Sequence, residues 1–186
     1  MKIASFNING IKARIQLLKE WLNREKPDII GLQELKSDNN NLNKDMFADL
    51  GYNFAYNGQK SYNGCGILSK HEIKNISYFF NGIQEDPQKR WISAEINEIL
   101  ICNLYLPNGN PLGTEKFEYK IHWMNLLYNY LKELQSIGKP IVIMGDFNII
   151  PQDIDCKSPK KWNNDALYDM DARSIFFKIL NLGFYD

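Results

Sequence analysis

Short runs in which apolar and polar residues alternate begin at the first residues, with Lys2-Ile3-Ala4-Ser5-Phe6-Asn7-Ile8, and recur along the chain. A period of two is the mark of a half-buried strand. Such runs predict strands at Ile3–Ile8, Ile29–Gln33, Tyr52–Tyr56, Cys65–Ser69, Ile76–Phe80, Trp91–Ile96, Ile99–Leu106 and Ile141–Phe147. Ile141–Met144 is apolar throughout and predicts a fully buried strand. Elsewhere the period lengthens to three and four. Ile15, Leu18 and Leu22 predict a helix from about Ala13 to Arg24, stopped by Pro27. Phe117, Ile121, Met124, Tyr128 and Leu131 predict a longer one, opened by Thr114 as N-cap and closed near Gly138 and Pro140. A last helix covers roughly Ala172 to Asn181. Asn148–Asp169, rich in Pro, Asp, Asn and Lys, predicts a long loop, and Asp38–Asn41 a solvated one. Alternating strands and helices require a layered α/β fold.

Composition narrows the picture. The chain has 186 residues and no interdomain linker, so a single domain is expected over 1–186. Its 22 Lys+Arg balance 22 Asp+Glu, which removes the global basic field of a histone-like protein but leaves room for a local basic groove. Three cysteines, Cys65, Cys102 and Cys156, form neither a disulfide framework nor a zinc spacing. With no secretory leader and no apolar stretch of membrane-spanning length, a cytoplasmic location and no membrane partner are expected.

Three strands end in oxygen-bearing side chains: Asn7 and Asn9 after the first, Gln33-Glu34 after the second, and Asp146 and Asn148 after Ile141–Gly145. Loops at strand ends carry side chains on a rigid support. Carboxylates and amides are hard ligands, suited to Mg²⁺ or Mn²⁺ rather than Zn²⁺. Taken singly, each has a structural alternative. Glu34 fits a surface carboxylate, Asp146 and Asn148 an Asx turn, Asn7 a buried amide bonded to backbone, and Tyr105 an amphipathic core residue.

Together these segments resemble the exonuclease III branch of the endonuclease/exonuclease/phosphatase superfamily, the class II apurinic/apyrimidinic endonucleases. The resemblance runs through Ser5–Arg14, Pro27–Lys36, Tyr62–Ser69, Arg90, Tyr105–Gly109 and Gly145–Ile149. It implies a four-layer α/β sandwich, DNase I-like, with two packed sheets flanked by helices. It implies that Glu34 is the principal metal carboxylate with Asn7 beside it, that Asp146 activates or orients the attacking water, and that Asn148 contacts the scissile phosphate. Asp146 and Asn148 join the metal set, and Tyr105 donates its phenol to phosphate or to the leaving oxygen. Arg90, Asn108, Lys116 and Lys120 are the implied DNA contacts; lysines on the helix after Thr114 equally fit its solvated face. Trp162 with Lys157, Lys160 and Lys161 fits either a backbone grip or an anchored loop.

The resemblance has one departure. The family's Asp-His pair near the C-terminus has no counterpart: the histidines are His71 and His122, outside that context, and His122, beside Trp123, is expected to pack. The chain resembles the first two-thirds of a family member. The implied function is a Mg²⁺-dependent (or Mn²⁺-dependent) DNA repair phosphodiesterase with 3′→5′ exonuclease and AP endonuclease activity. Its implied partner is double-stranded DNA with abasic sites or 3′ ends, and it is expected to be a monomer. The alternatives are another superfamily phosphoesterase, of the phosphoinositide phosphatase or sphingomyelinase type, and a non-catalytic fragment.

Overall fold

The computed structural model describes all 186 residues, Met1–Asp186. They form two compact units: Met1–Phe79, Gln84–Tyr105 and Lys139–Asp146 make the first, and Phe80–Ile83, Leu106–Gly138 and Phe147–Asp186 the second. The first unit contains eight strands, β1 (Ile3–Asn7), β2 (Ile29–Gln33), β3 (Asn53–Asn57), β4 (Cys65–Ser69), β5 (Lys74–Ser77), β6 (Trp91–Ile96), β7 (Ile99–Tyr105) and β8 (Ile141–Asp146), with helix α1 (Ile11–Glu25). They form two four-stranded sheets, ordered β1-β2-β4-β3 and β5-β6-β7-β8. β1 pairs in parallel with β2 and β7 with β8; the other pairs are antiparallel.

Alternation places the core on both faces of the first sheet. Ile30, Leu32, Phe54 and Leu68 turn outward against Ile11, Leu18 and Leu22 of α1. Ile29, Ala55, Cys65 and Ile67 turn inward against Ile92, Ala94, Ile96, Ile101 and Met144 of the second sheet. Each such fully buried Ile or Leu contributes roughly 1.5–3 kcal/mol. The expected α/β sandwich is therefore built from these two facing sheets. Cys65 and Cys102 are buried, and all three cysteines are free thiols.

Four local expectations need correction. β8 is an edge strand with one neighbour, so Ile141, Val142 and Ile143 are only half-buried and Met144 alone is buried. The strand expected at Ile76–Phe80 lies instead at Lys74–Ser77, because Tyr78 and Phe79 leave the ladder and are each 48% exposed. In the second unit, α2 (Glu115–Leu134) follows Thr114, but the threonine hydroxyl donates to Pro111 O at 2.7 Å instead of capping the helix. His122 is exposed while its neighbour Trp123 is buried, edge-on to Phe80 at 5.3 Å between centroids. α3 (Met170–Leu180) packs on α2, and its cap is Asp169, whose carboxylate accepts from Asp171 and Ala172 N–H. No helix is long and apolar enough to cross a membrane.

Candidate active site

Register brings the polar residues of the first unit together. In the parallel pair β1/β2, Asn7 lies opposite Gln33; in β7/β8, Tyr105 lies opposite Asp146. Side chains two apart share a face of a strand. Asn7, Gln33, Tyr105 and Asp146 thus stand at the carboxyl ends of four strands, two from each sheet. Gly145, at φ +148°, permits the approach of β8 to β7 just before Asp146: a Cβ there would meet Leu104 O at 2.0 Å.

Asn7 is the centre of the group. Its amide nitrogen donates to Glu34 Oε1 and to Asp146 Oδ2, each at 2.8 Å. Its amide oxygen accepts from Asn9 N–H at 3.0 Å. So placed, Asn7 joins the two carboxylates through one donor. Lys36 Nζ pairs with Glu34 Oε2 at 2.8 Å and also reaches Asn9 Oδ1. The Glu34 loop is held from both sides by Gly10 N–H to Glu34 O at 2.7 Å and Leu35 N–H to Gly64 O at 3.1 Å. Those bonds keep Asn9, Glu34 and Lys36 in the left-handed region, at φ 47°, 53° and 51°. For residues with a Cβ that conformation is unfavourable.

The electrostatics follow from these contacts. Burial raises the Glu34 carboxyl, but hydrogen bonds from Asn7, Lys36 and Tyr105 outweigh it and hold the group below the ordinary glutamate value. Burial, the nearby Glu34 charge and the hydrogen bond to Glu34 push the Tyr105 phenol up to about 12. Tyr105 is a neutral donor at physiological pH. Arg90 lies over its ring, 5.0 Å from guanidinium carbon to centroid, and donates to Tyr105 O at 3.2 Å and to Gln88 Oε1 at 2.8 Å. The residue expected to touch DNA is thus packed against the tyrosine.

The second unit holds Asn108, Asn148, Lys116 and Lys120. Asn148 Nδ2 donates to Leu106 O at 2.8 Å, and Asn108 Nδ2 reaches Asn148 Oδ1 at 3.4 Å. Lys116 is exposed. Lys120 is wholly buried, against the expectation of a DNA contact or a solvated lysine. Its ammonium donates to Ala166 O at 2.8 Å, Asn148 O at 2.7 Å and Asn108 O at 3.1 Å. Three carbonyls replace its hydration shell, so it fastens loops instead of meeting phosphate. Trp162 is half-buried, and Lys160 and Lys161 are exposed.

The sequence reading missed Lys36 as the partner of Glu34 and gave no role to Asn103. The signal for Asn103 was available: it is a polar residue at an inward position of the apolar strand Ile99–Leu106, two before Tyr105. No group of three or more His, Cys, Asp or Glu side chains is arranged to hold a metal ion, so any cation here relies on two carboxylates and neighbouring amides.

Residues 4–185 match the model of the Endonuclease/Exonuclease/phosphatase family. The chain is 31% identical over 188 residues to an exodeoxyribonuclease of Bacillus subtilis, covering 100% of itself and 73% of that protein. It is 37% identical over 171 residues to exodeoxyribonuclease III of Haemophilus influenzae, covering 87% of itself and 64% of the relative. Among solved structures, an AP endonuclease from Archaeoglobus fulgidus superposes with a TM-score of 0.95 at 36% identity, over 100% of this chain and 72% of that one. Across the curated relatives it matches, the chain spans between 52% and 73% of their length. With the strand-end carboxylates in place and the match running from one end to the other, the chain belongs to the endonuclease/exonuclease/phosphatase family.

Proposed function

We propose that the protein hydrolyses phosphodiester bonds of double-stranded DNA, 5′ to abasic sites and at 3′ ends, with Mg²⁺ or Mn²⁺ as cofactor. The observation that carries this reading is the convergence of Glu34 and Asp146 on the single amide of Asn7, with Tyr105 opposite Asp146 in the β7/β8 pair. Two anionic side chains aimed at one point form an oxygen-only donor set of the kind a hard divalent cation prefers. Glu34 and Asp146 would hold the ion, with Asn7 beside them. Bound there, it would supply Lewis acidity and ease the ionisation of water.

The chain's own groups have separable tasks. Asp146 takes the proton of the attacking water. Tyr105, kept neutral, donates its O–H to a phosphate oxygen or to the leaving oxygen, where charge accumulates as the bond breaks. On the second unit, Lys116 is an exposed cation that the DNA backbone could meet. The relatives whose names describe DNA enzymes favour this substrate over a phosphoinositide or sphingomyelin.

The test is incision of an abasic-site duplex by the purified protein with Mg²⁺ and with excess chelator. Metal-dependent cleavage is expected, lost in Glu34→Gln together with most calorimetric Mg²⁺ affinity. No cleavage by the wild type, or cleavage indifferent to chelator, would sink the proposal.

A further inference from the structure

Beneath the strand ends lies a buried polar cluster that the proposed chemistry does not use. Asn103, on β7, is 0% exposed and points between the sheets. Its Oδ1 accepts from Gln33 Nε2 at 2.6 Å, and its Nδ2 donates to Leu32 O at 2.9 Å and Gly66 O at 2.8 Å. Leu32 and Gly66 are opposite one another in the β2/β4 ladder, so one amide is seated on two strands of the facing sheet. Gln33 Nε2 also donates to Ser5 Oγ on β1 at 3.1 Å. Space for this has been left: a Cβ on Gly31 would stand 2.8 Å from Asn103 Oδ1 and 2.9 Å from Met144 Cε.

The placement of the cluster has a direct relation to the site. Ser5 lies two residues before Asn7, Gln33 one before Glu34, and Asn103 two before Tyr105. Apolar contact between two sheets is non-directional and tolerates a slide of one against the other. A buried amide does not, since a displaced partner leaves polar atoms unsatisfied in a dry interior. Tyr105 and Glu34 come from opposite sheets, and the Asn7 Nδ2 to Asp146 Oδ2 bond of 2.8 Å, from β1 to β8, spans the same gap; such a slide would break that bond and part the tyrosine from the glutamate.

Resting on the function proposed above, we infer that Asn103 and Gln33 are positioning residues that lock the two sheets in register and so hold Tyr105 against Glu34. A leucine and a methionine at these positions would fill the same volume and could maintain the core, but would carry no directional information. A misplacement of about 1 Å can cost about a hundredfold in rate even when it originates away from the reacting atoms.

The variant to compare with the wild type is Asn103→Leu combined with Gln33→Met. Single-turnover incision should fall about ten- to a hundredfold, KM should stay within about threefold, and unfolding in urea should remain cooperative. A normal rate with only a lower urea midpoint would reduce the pair to core filling. Where the double variant does not fold, Gln33→Met alone takes its place with a smaller loss, since it leaves the two carbonyl bonds of Asn103. A readout independent of activity is the nuclear Overhauser contact between the Tyr105 ring and the Glu34 γ-protons. It should weaken in the variant while backbone contacts within each sheet persist, and its survival at full strength would overturn the inference. An inactive wild type would sink the nuclease proposal and leave this spectroscopic test standing.

Discussion

Replacing Lys120 by methionine isolates the worth of a buried cation whose named partners are all carbonyls. Methionine keeps the unbranched stem and nearly the volume, so the packing under Gly109, where a Cβ would lie 2.6 Å from Lys120 Cδ, is preserved. What disappears is the donor to Asn108 O, Asn148 O and Ala166 O. Each buried acceptor left without a donor costs about 1–3 kcal/mol. Against that loss stands a gain, because the ammonium need no longer be stripped of water, itself a penalty of several kcal/mol. The balance for three carbonyls is a destabilisation of about 2–4 kcal/mol. For a chain of this size that lowers Tm by about 5–15 °C. Urea and thermal unfolding followed by circular dichroism measure it directly. A Lys120→Met protein as stable as the wild type would refute the reasoning. Should it also bind duplex DNA more weakly, with a salt slope reduced by about one, Lys120 would be a phosphate contact after all.

Tyr105→Phe should slow single-turnover incision by about one to three powers of ten, the usual loss for one transition-state donor, with DNA affinity changing much less. A normal rate would return the tyrosine to a packing role. The Glu34 carboxyl is held below its ordinary value, so its contribution to stability is fully present above the unfolded glutamate pKa and is lost as pH falls through the lowered folded one. Lys36→Met should move the Glu34 titration upward in a ¹³C-detected experiment; an unmoved titration would mean the ion pair is not formed in solution.

Much of this fold was legible because strands announce themselves by alternation. Ile29–Gln33, Cys65–Ser69 and Trp91–Ile96 agree end to end with the ladders observed. Asn7, Glu34 and Asp146 were legible for a related reason, as polar groups at the ends of apolar runs; Tyr105 was singled out only by the family resemblance, since its place in the strand equally fits a core residue. What escaped was set by the third dimension. Nothing along the chain says that β8 has a single neighbour, so an all-apolar run read as fully buried. A lysine on a helix carries the same local signal whether solvent or three carbonyls surround its ammonium, and Lys120 was misread for that reason. Asn103 was passed over because a lone amide inside an apolar strand gains meaning only when the opposite sheet supplies Leu32 O and Gly66 O.

The left-handed backbone at Glu34 sets selection for heat resistance against selection for turnover. Glycine adopts that conformation without penalty, and a residue with a Cβ gives up roughly 1–2 kcal/mol to hold it. Glu34→Gly would also remove a carboxylate that sits beside Asp146 on the same amide. A library screened only for resistance to unfolding should therefore accept Glu34→Gly, which exchanges the carboxylate's hydrogen bond and ion pair for an unstrained turn, and such proteins should fold with no chemistry left. A library screened for incision should keep the glutamate and recover stability elsewhere. The position at which those two screens disagree most sharply would mark the carboxylate for which the fold accepts a strained turn.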